Sequence, residues 1–264
     1  MDIIQRNFLR LLRCGAFNTR EPLEPMSSWK WNRLYQVAQI HGVTPWIADG
    51  INRCSDDFFL QLKTELRQRF DSNTTERIED YPHHGLTNPL LNRSLHRIAI
   101  EAGEHDVTYE LLLTIIAIAQ NILTQGISLR QFIALGTYLR NSRDPLRYEQ
   151  LREWIKTLRM ERMAHLEGSM LIALFAFSTD EIMFTEAAAD STTSQVVDDI
   201  FAITEKKAAD WYFTQGKSIF VRTSDSDAMI WHVKQSVKYM SYYPAEAFTN
   251  FFSNFAHSLS HIEE

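Results

Sequence analysis

Few places in this chain hold residues whose types and spacing could do chemistry. One is Asp225-Ser226-Asp227, which follows Gly216-Lys217-Ser218. Two carboxylates one residue apart on a strand point to the same side, and such a pair can hold Mg²⁺ on a triphosphate while activating an attacking oxygen. A third carboxylate would complete the site. No Asp follows Asp227, so a downstream third ligand in a helical stretch would be Glu246. Ser226 is polar where a core-packed strand carries an apolar residue, and Ala228 to Met240 has helical spacing. The simpler reading is a helix start. Ser224 or Asp225 accepts hydrogen bonds from the free amides of the first turn, and the acids complement its dipole.

His257 and His261 stand four apart, which on a helix places both imidazoles on one side. Zinc would need a third or fourth ligand, so the pair reads as a solvated last turn and not as a metal site. His83 and His84 lie beside Glu79 and Asp80 in a polar stretch. Adjacent side chains seldom converge on one ion, and this cluster reads as a solvated loop. Cys14 and Cys54 are the only cysteines and lack a CxxC partner. They could pair, but the start of the chain has no export-signal pattern, which favours two reduced thiols. Glycine-rich phosphate loops, GxSxG and HExxH are all absent from the sequence.

The elements that would position these residues are helical. Ile4, Phe8, Leu11 and Leu12 share a face, as do Trp31, Leu34, Tyr35 and Ala38 behind a Ser27 or Ser28 cap. Phe59, Leu62, Leu66 and Phe70 predict a third helix capped by Asp56. Residues 71–87 are polar and read as a connector, where limited proteolysis should cut first. Leu91, Leu95, Ile98 and Ala102 resume the helical spacing. Thr108 to Thr124 is apolar on most sides, which marks a buried central helix ended near Gly126. Leu129, Phe132, Ile133, Gly136 and Leu139 form the next face, and Asp144-Pro145 a turn. Further faces follow at Leu151 to Leu158, Met163 to Phe177 and Val197 to Tyr212. After Pro244, Phe248, Phe251, Phe252, Phe255 and Leu259 read as an aromatic core stripe.

Composition agrees with this picture. The 264 residues include only 9 Gly and 7 Pro, too few for a turn-rich or disordered chain. The expected fold class is all-α, a multi-helix array of about ten or eleven helices with at most one short β-hairpin near 218–222. The expected organisation is an N-terminal helical unit 1–75, a connector 76–85 and a C-terminal array 86–264. A formal net charge of -6 argues against general nucleic-acid binding. The run Leu111 to Leu123 is shorter than the ~20 apolar residues a bilayer needs, so membrane insertion is not expected and the expected location is cytoplasmic.

Four segments stand in a suggestive order. They are Trp29 with Ala38-Gln39-Ile40-His41-Gly42-Val43-Thr44-Pro45, then Asn88-Pro89-Leu90-Leu91-Asn92-Arg93-Ser94-Leu95, then Gly126-Ile127-Ser128-Leu129-Arg130-Gln131, then Tyr243-Pro244-Ala245-Glu246. They resemble the W…LA..HGV.P, NP..NR.L, GIGLRQ and YP.E segments of an uncharacterised bacterial nucleotidyltransferase-like family met beside surface-polysaccharide genes. That family carries a catalytic sheet with a GD.D strand between the first two segments. Here that interval is only the polar connector. Ala134 stands where the family has an Asp, and Gln120 and Asn121 stand near its helical His.

The resemblance therefore implies a degenerate member without catalytic residues. Arg130 and Gln131 are the surviving polar pair and the candidate binding residues. The implied function is non-catalytic: binding or regulation, linked to surface-polysaccharide synthesis, with an unidentified protein partner and no cofactor. The alternative is an active nucleotidyltransferase, with Mg²⁺ at a rearranged site on Asp225 and Asp227.

Overall fold

The computed structural model describes residues 1–72, 85–142, 144–188, 193–201 and 238–250. Among these residues the chain is all-α, with eleven helices and no strand. The 218–222 hairpin, the connector residues 73–84 and everything beyond 250 lie outside the described residues.

Helix α1 (Ile3–Phe17) begins in a reciprocal cap. Asp2 accepts from the Gln5 amide at 2.8 Å, and the Gln5 side chain accepts from the Asp2 amide at 3.0 Å. Its apolar face is the one the spacing predicts, with Phe8, Leu11 and Leu12 wholly buried. Its opposite face carries Arg6, Arg10 and Arg13, which pair with Glu21 and Glu24. The Arg6 guanidinium holds the Glu24 carboxyl down to about 2. Arg13 also donates to the Leu174 carbonyl at 2.7 Å, tying α1 to the far end of the array.

Helix α2 (Ser28–Ile40) starts at the predicted Ser27 cap, whose hydroxyl accepts from the Lys30 amide. Helix α3 (Thr44–Arg53) is absent from the sequence-based expectation. Pro45 suits a first turn, which has no use for its missing N–H. Gly50 serves close packing on α1.

The predicted third helix also needs correction, since α4 begins only at Thr64 (Thr64–Ser72). Residues 54–63 form turns fixed by Asp57, whose carboxylate accepts from the amides of Leu23 and Phe59. Asp56 is no cap; it pairs with Arg20. Phe59 is 38% exposed and Phe58 78% exposed.

Asn88 caps α5 (Pro89–Ala102) and Asp106 caps α6 (Val107–Thr124). Helix α6 is central, as predicted. It packs against α5, α7 (Leu129–Asn141), α8 (Tyr148–Thr157) and α9 (Glu161–Phe175). Only Glu110 on it is exposed. By length and composition α6 is long and apolar enough to cross a membrane, and the same apolarity suits a core helix. Ile115 and Ile116 are at most 2% exposed. Ile115→Ala is expected to lower unfolding free energy by about 2–5 kcal/mol, read from the urea midpoint at unchanged slope.

Helical residues 193–201 pack on α1, with the Phe8 and Phe201 rings edge to face at 6.0 Å. The residues from Pro244 to Asn250 are helical, and Phe248 is the one member of the predicted aromatic stripe among the described residues. Glu246, Ala247 and Asn250 are buried, while Phe248 is 58% exposed. The reason is Glu246, whose carboxylate is drawn inward by backbone amides.

Candidate functional site

The four segments singled out in the sequence meet in pairs. Asn88 is the N-cap of α5: its Oδ1 accepts from the amides of Leu90 and Leu91 at 3.0 and 3.2 Å. Its Nδ2 donates to the Ala245 carbonyl and the Thr249 hydroxyl. Glu246, fully buried, accepts from the backbone amides of Thr87 and Asn88 at 2.5 and 3.0 Å. A carboxylate there satisfies free amides and complements the helix dipole. Tyr243 is also buried, and its hydroxyl donates to the Leu158 carbonyl at 3.0 Å. Glu246→Ala leaves two half-buried amides without their carboxylate and is expected to cost about 2–3 kcal/mol, with Glu246→Gln losing less. Chemical denaturation of the three proteins would check that order.

The other pair joins Gly42 to Arg130. Gly42 has φ +64, a left-handed conformation suited to glycine, and a Cβ there would meet the Arg130 Cδ at 3.1 Å. Arg130 is half-buried, and Trp29, part of the first segment, is 66% exposed. Gln131 is 4% exposed, and its Oε1 has no hydrogen-bond partner among the described residues. The turn before them is held by Asn121, whose carbonyl accepts from Gly126 and whose amide side chain donates to the Gly126 carbonyl. Gln120 donates to the Gly85 carbonyl at 2.9 Å, pinning the end of the connector on α6.

A substantial cleft among the described residues lies elsewhere. It has a volume of about 620 Å³ and opens between α8 and the start of α9. Helix spacing aligns Arg152, Glu153 and Lys156 on one wall and Glu161, Arg162 and His165 on the other. Arg159, at φ +55, turns the chain between the two helices. Phe184, Thr185 and Glu186 line a third side, and Ser241 and Tyr242 a fourth, with Arg162 reaching the Ser241 carbonyl at 3.4 Å. Three fixed cations face three carboxylates, so the cleft carries no strong field of either sign.

No family model, curated protein or solved structure matches the chain.

Arg130 and Gln131 do not line this cleft. Asp225, Asp227, His83, His84, His257 and His261 fall outside the described residues, as does Gly216-Lys217-Ser218. Among the described residues no three His, Cys, Asp or Glu side chains group as a metal site. The cleft escaped sequence reading because each charged residue on it looks like ordinary helix surface. Only the α8–α9 turn brings the two rows face to face.

Proposed function

We propose that the chain is a non-catalytic helical binding protein, a degenerate relative of the nucleotidyltransferase-like family it resembles, acting on a protein partner. A regulatory place in surface-polysaccharide synthesis follows from that resemblance alone. The observation that carries the reading is Glu246. Both of its oxygens are engaged by the Thr87 and Asn88 amides. The carboxylate named as the candidate third ligand beside Asp225 and Asp227 is thus engaged at the start of α5. The second support is the α8–α9 cleft. A Mg-triphosphate is recognised by concentrated positive charge and backbone amides, whereas this cleft interleaves cations, carboxylates and aromatic surface. That lining suits a polypeptide segment bearing both charges.

Isothermal titration with Mg-ATP, Mg-CTP, Mg-GTP and Mg-UTP is expected to show no binding. Micromolar affinity that disappears in Asp225→Asn would overturn the reading in favour of the active enzyme. For the partner, a photo-crosslinking residue at Thr185 should capture one discrete protein from native cells. Charge reversal by Arg152→Glu with Lys156→Glu should reduce that capture at least tenfold.

A further inference from the structure

We infer that Cys14 and Cys54 form a dithiol–disulfide site, a redox clasp that can covalently lock α1 to α3. The two sulfurs are 3.3 Å apart although the residues are 40 positions apart in the chain, and both side chains are 2% exposed. Their meeting follows from the helix contact beneath them. Gly15 lies against the backbone of Trp46 and Gly50, and Gly50 lies against the backbone of Leu11. Without a Cβ at either position the two helices touch main chain to main chain, and the neighbouring cysteines are pressed together. A disulfide needs about 2.05 Å between sulfurs, so they must close by roughly 1.3 Å, within reach of side-chain rotation. The Arg53 guanidinium donates to the Cys14 carbonyl at 3.0 Å and holds the end of α3 on α1 in either state.

The oxidant class that fits is a small disulfide such as glutathione disulfide. One cysteine loses its proton and attacks a sulfur of the oxidant, forming a mixed disulfide and releasing one glutathione thiol. The second cysteine then loses its proton and displaces the second glutathione. Two protein thiols become one disulfide, and one glutathione disulfide becomes two thiols. Burial, with the Cys14 thiol alongside, pushes the Cys54 thiol up to about 12, opposed by Arg20 and reinforced by Asp57. The reduced pair is therefore sluggish at rest. Attack proceeds through opening of the turn after α3, where Cys54 is the C-cap.

The test uses the full chain under native conditions, incubated in glutathione redox buffers of increasing oxidising power. Because the chain has only two cysteines, the readout is unambiguous. The expected result is loss of both maleimide-reactive thiols together, a mass lower by two hydrogen atoms, and a Cys14–Cys54 peptide in a non-reducing digest. The thermal midpoint should rise by about 5 °C or more and return with dithiothreitol. Glutathione adducts that persist on one cysteine, disulfide-linked dimers, or two thiols still free in the most oxidising buffer would each overturn the proposal. Cys14→Ser should leave Cys54 as a stable mixed disulfide or unreacted, with no rise in midpoint.

Discussion

Gly15→Ala and Gly50→Ala should each destabilise the protein by more than about 3 kcal/mol, although alanine is the better helix former by about 1 kcal/mol. A Cβ on Gly15 would overlap the Trp46 carbonyl oxygen and lie 2.9 Å from the Gly50 nitrogen. One on Gly50 would overlap the Leu11 carbonyl oxygen and lie 2.9 Å from its carbon. In both cases the obstacle is main chain inside a helix, which cannot rotate aside as a side chain can. The helices would have to part, exposing Leu11, Ile47 and Ile51 and separating the two sulfurs. Gly136→Ala is the comparison: its neighbours are the ring tips of Phe17 and Phe177, which can tilt, so its cost should be smaller. Urea denaturation of the three variants gives the ranking. A stabilised Gly15→Ala protein would mean that α1 and α3 do not approach as described.

Glu167→Met should stabilise the protein, and by more as the pH is raised. Glu167 sits on α9 with no exposure, and neither carboxyl oxygen has a hydrogen-bond partner among the described residues. Burial raises its pKa well above the usual range, so the folded chain keeps the proton. The unfolded chain releases it near the ordinary carboxylate value. Above that value the folded state holds one proton more than the unfolded state, and stability falls with pH by about 1.4 kcal/mol per unit until the folded group itself ionises. Below it the protonated acid still costs about 1–3 kcal/mol as an unsatisfied buried polar group. Methionine has neither penalty and similar length. Unfolding free energies of wild type and Glu167→Met at pH 5, 6 and 7 should therefore diverge as pH rises. A gap that stays constant would show that Glu167 is ionised and paired in solution.

These two predictions rest on features of different legibility. The helices were readable because apolar side chains recur at 3.6-residue spacing and because local caps announce their starts. Ser27 caps α2 as expected, and α6 is buried because nearly every side of it is apolar. Such signals are contained within a dozen neighbouring residues. A local signal misleads where a distant partner outweighs it. Asp56 resembled a cap, but Asp57 holds the chain in turns by bonding the Leu23 amide, 34 positions away. Phe248 looked like core, but Glu246 turned inward to meet Thr87 and Asn88.

The candidate site was less legible still. Arg152 and Lys156 look like solvent-facing helix residues until the turn at Arg159 sets them opposite Arg162 and His165. Sequence alone determined the fold class and the order and apolar faces of most helices, since those depend on short-range periodicity. Tertiary structure alone decided which glycines became contacts, which acid lost water and which thiols met. The α1–α3 glycine contacts and the meeting of the thiols are each set by a partner 30 or more residues away, and no local pattern encodes that distance.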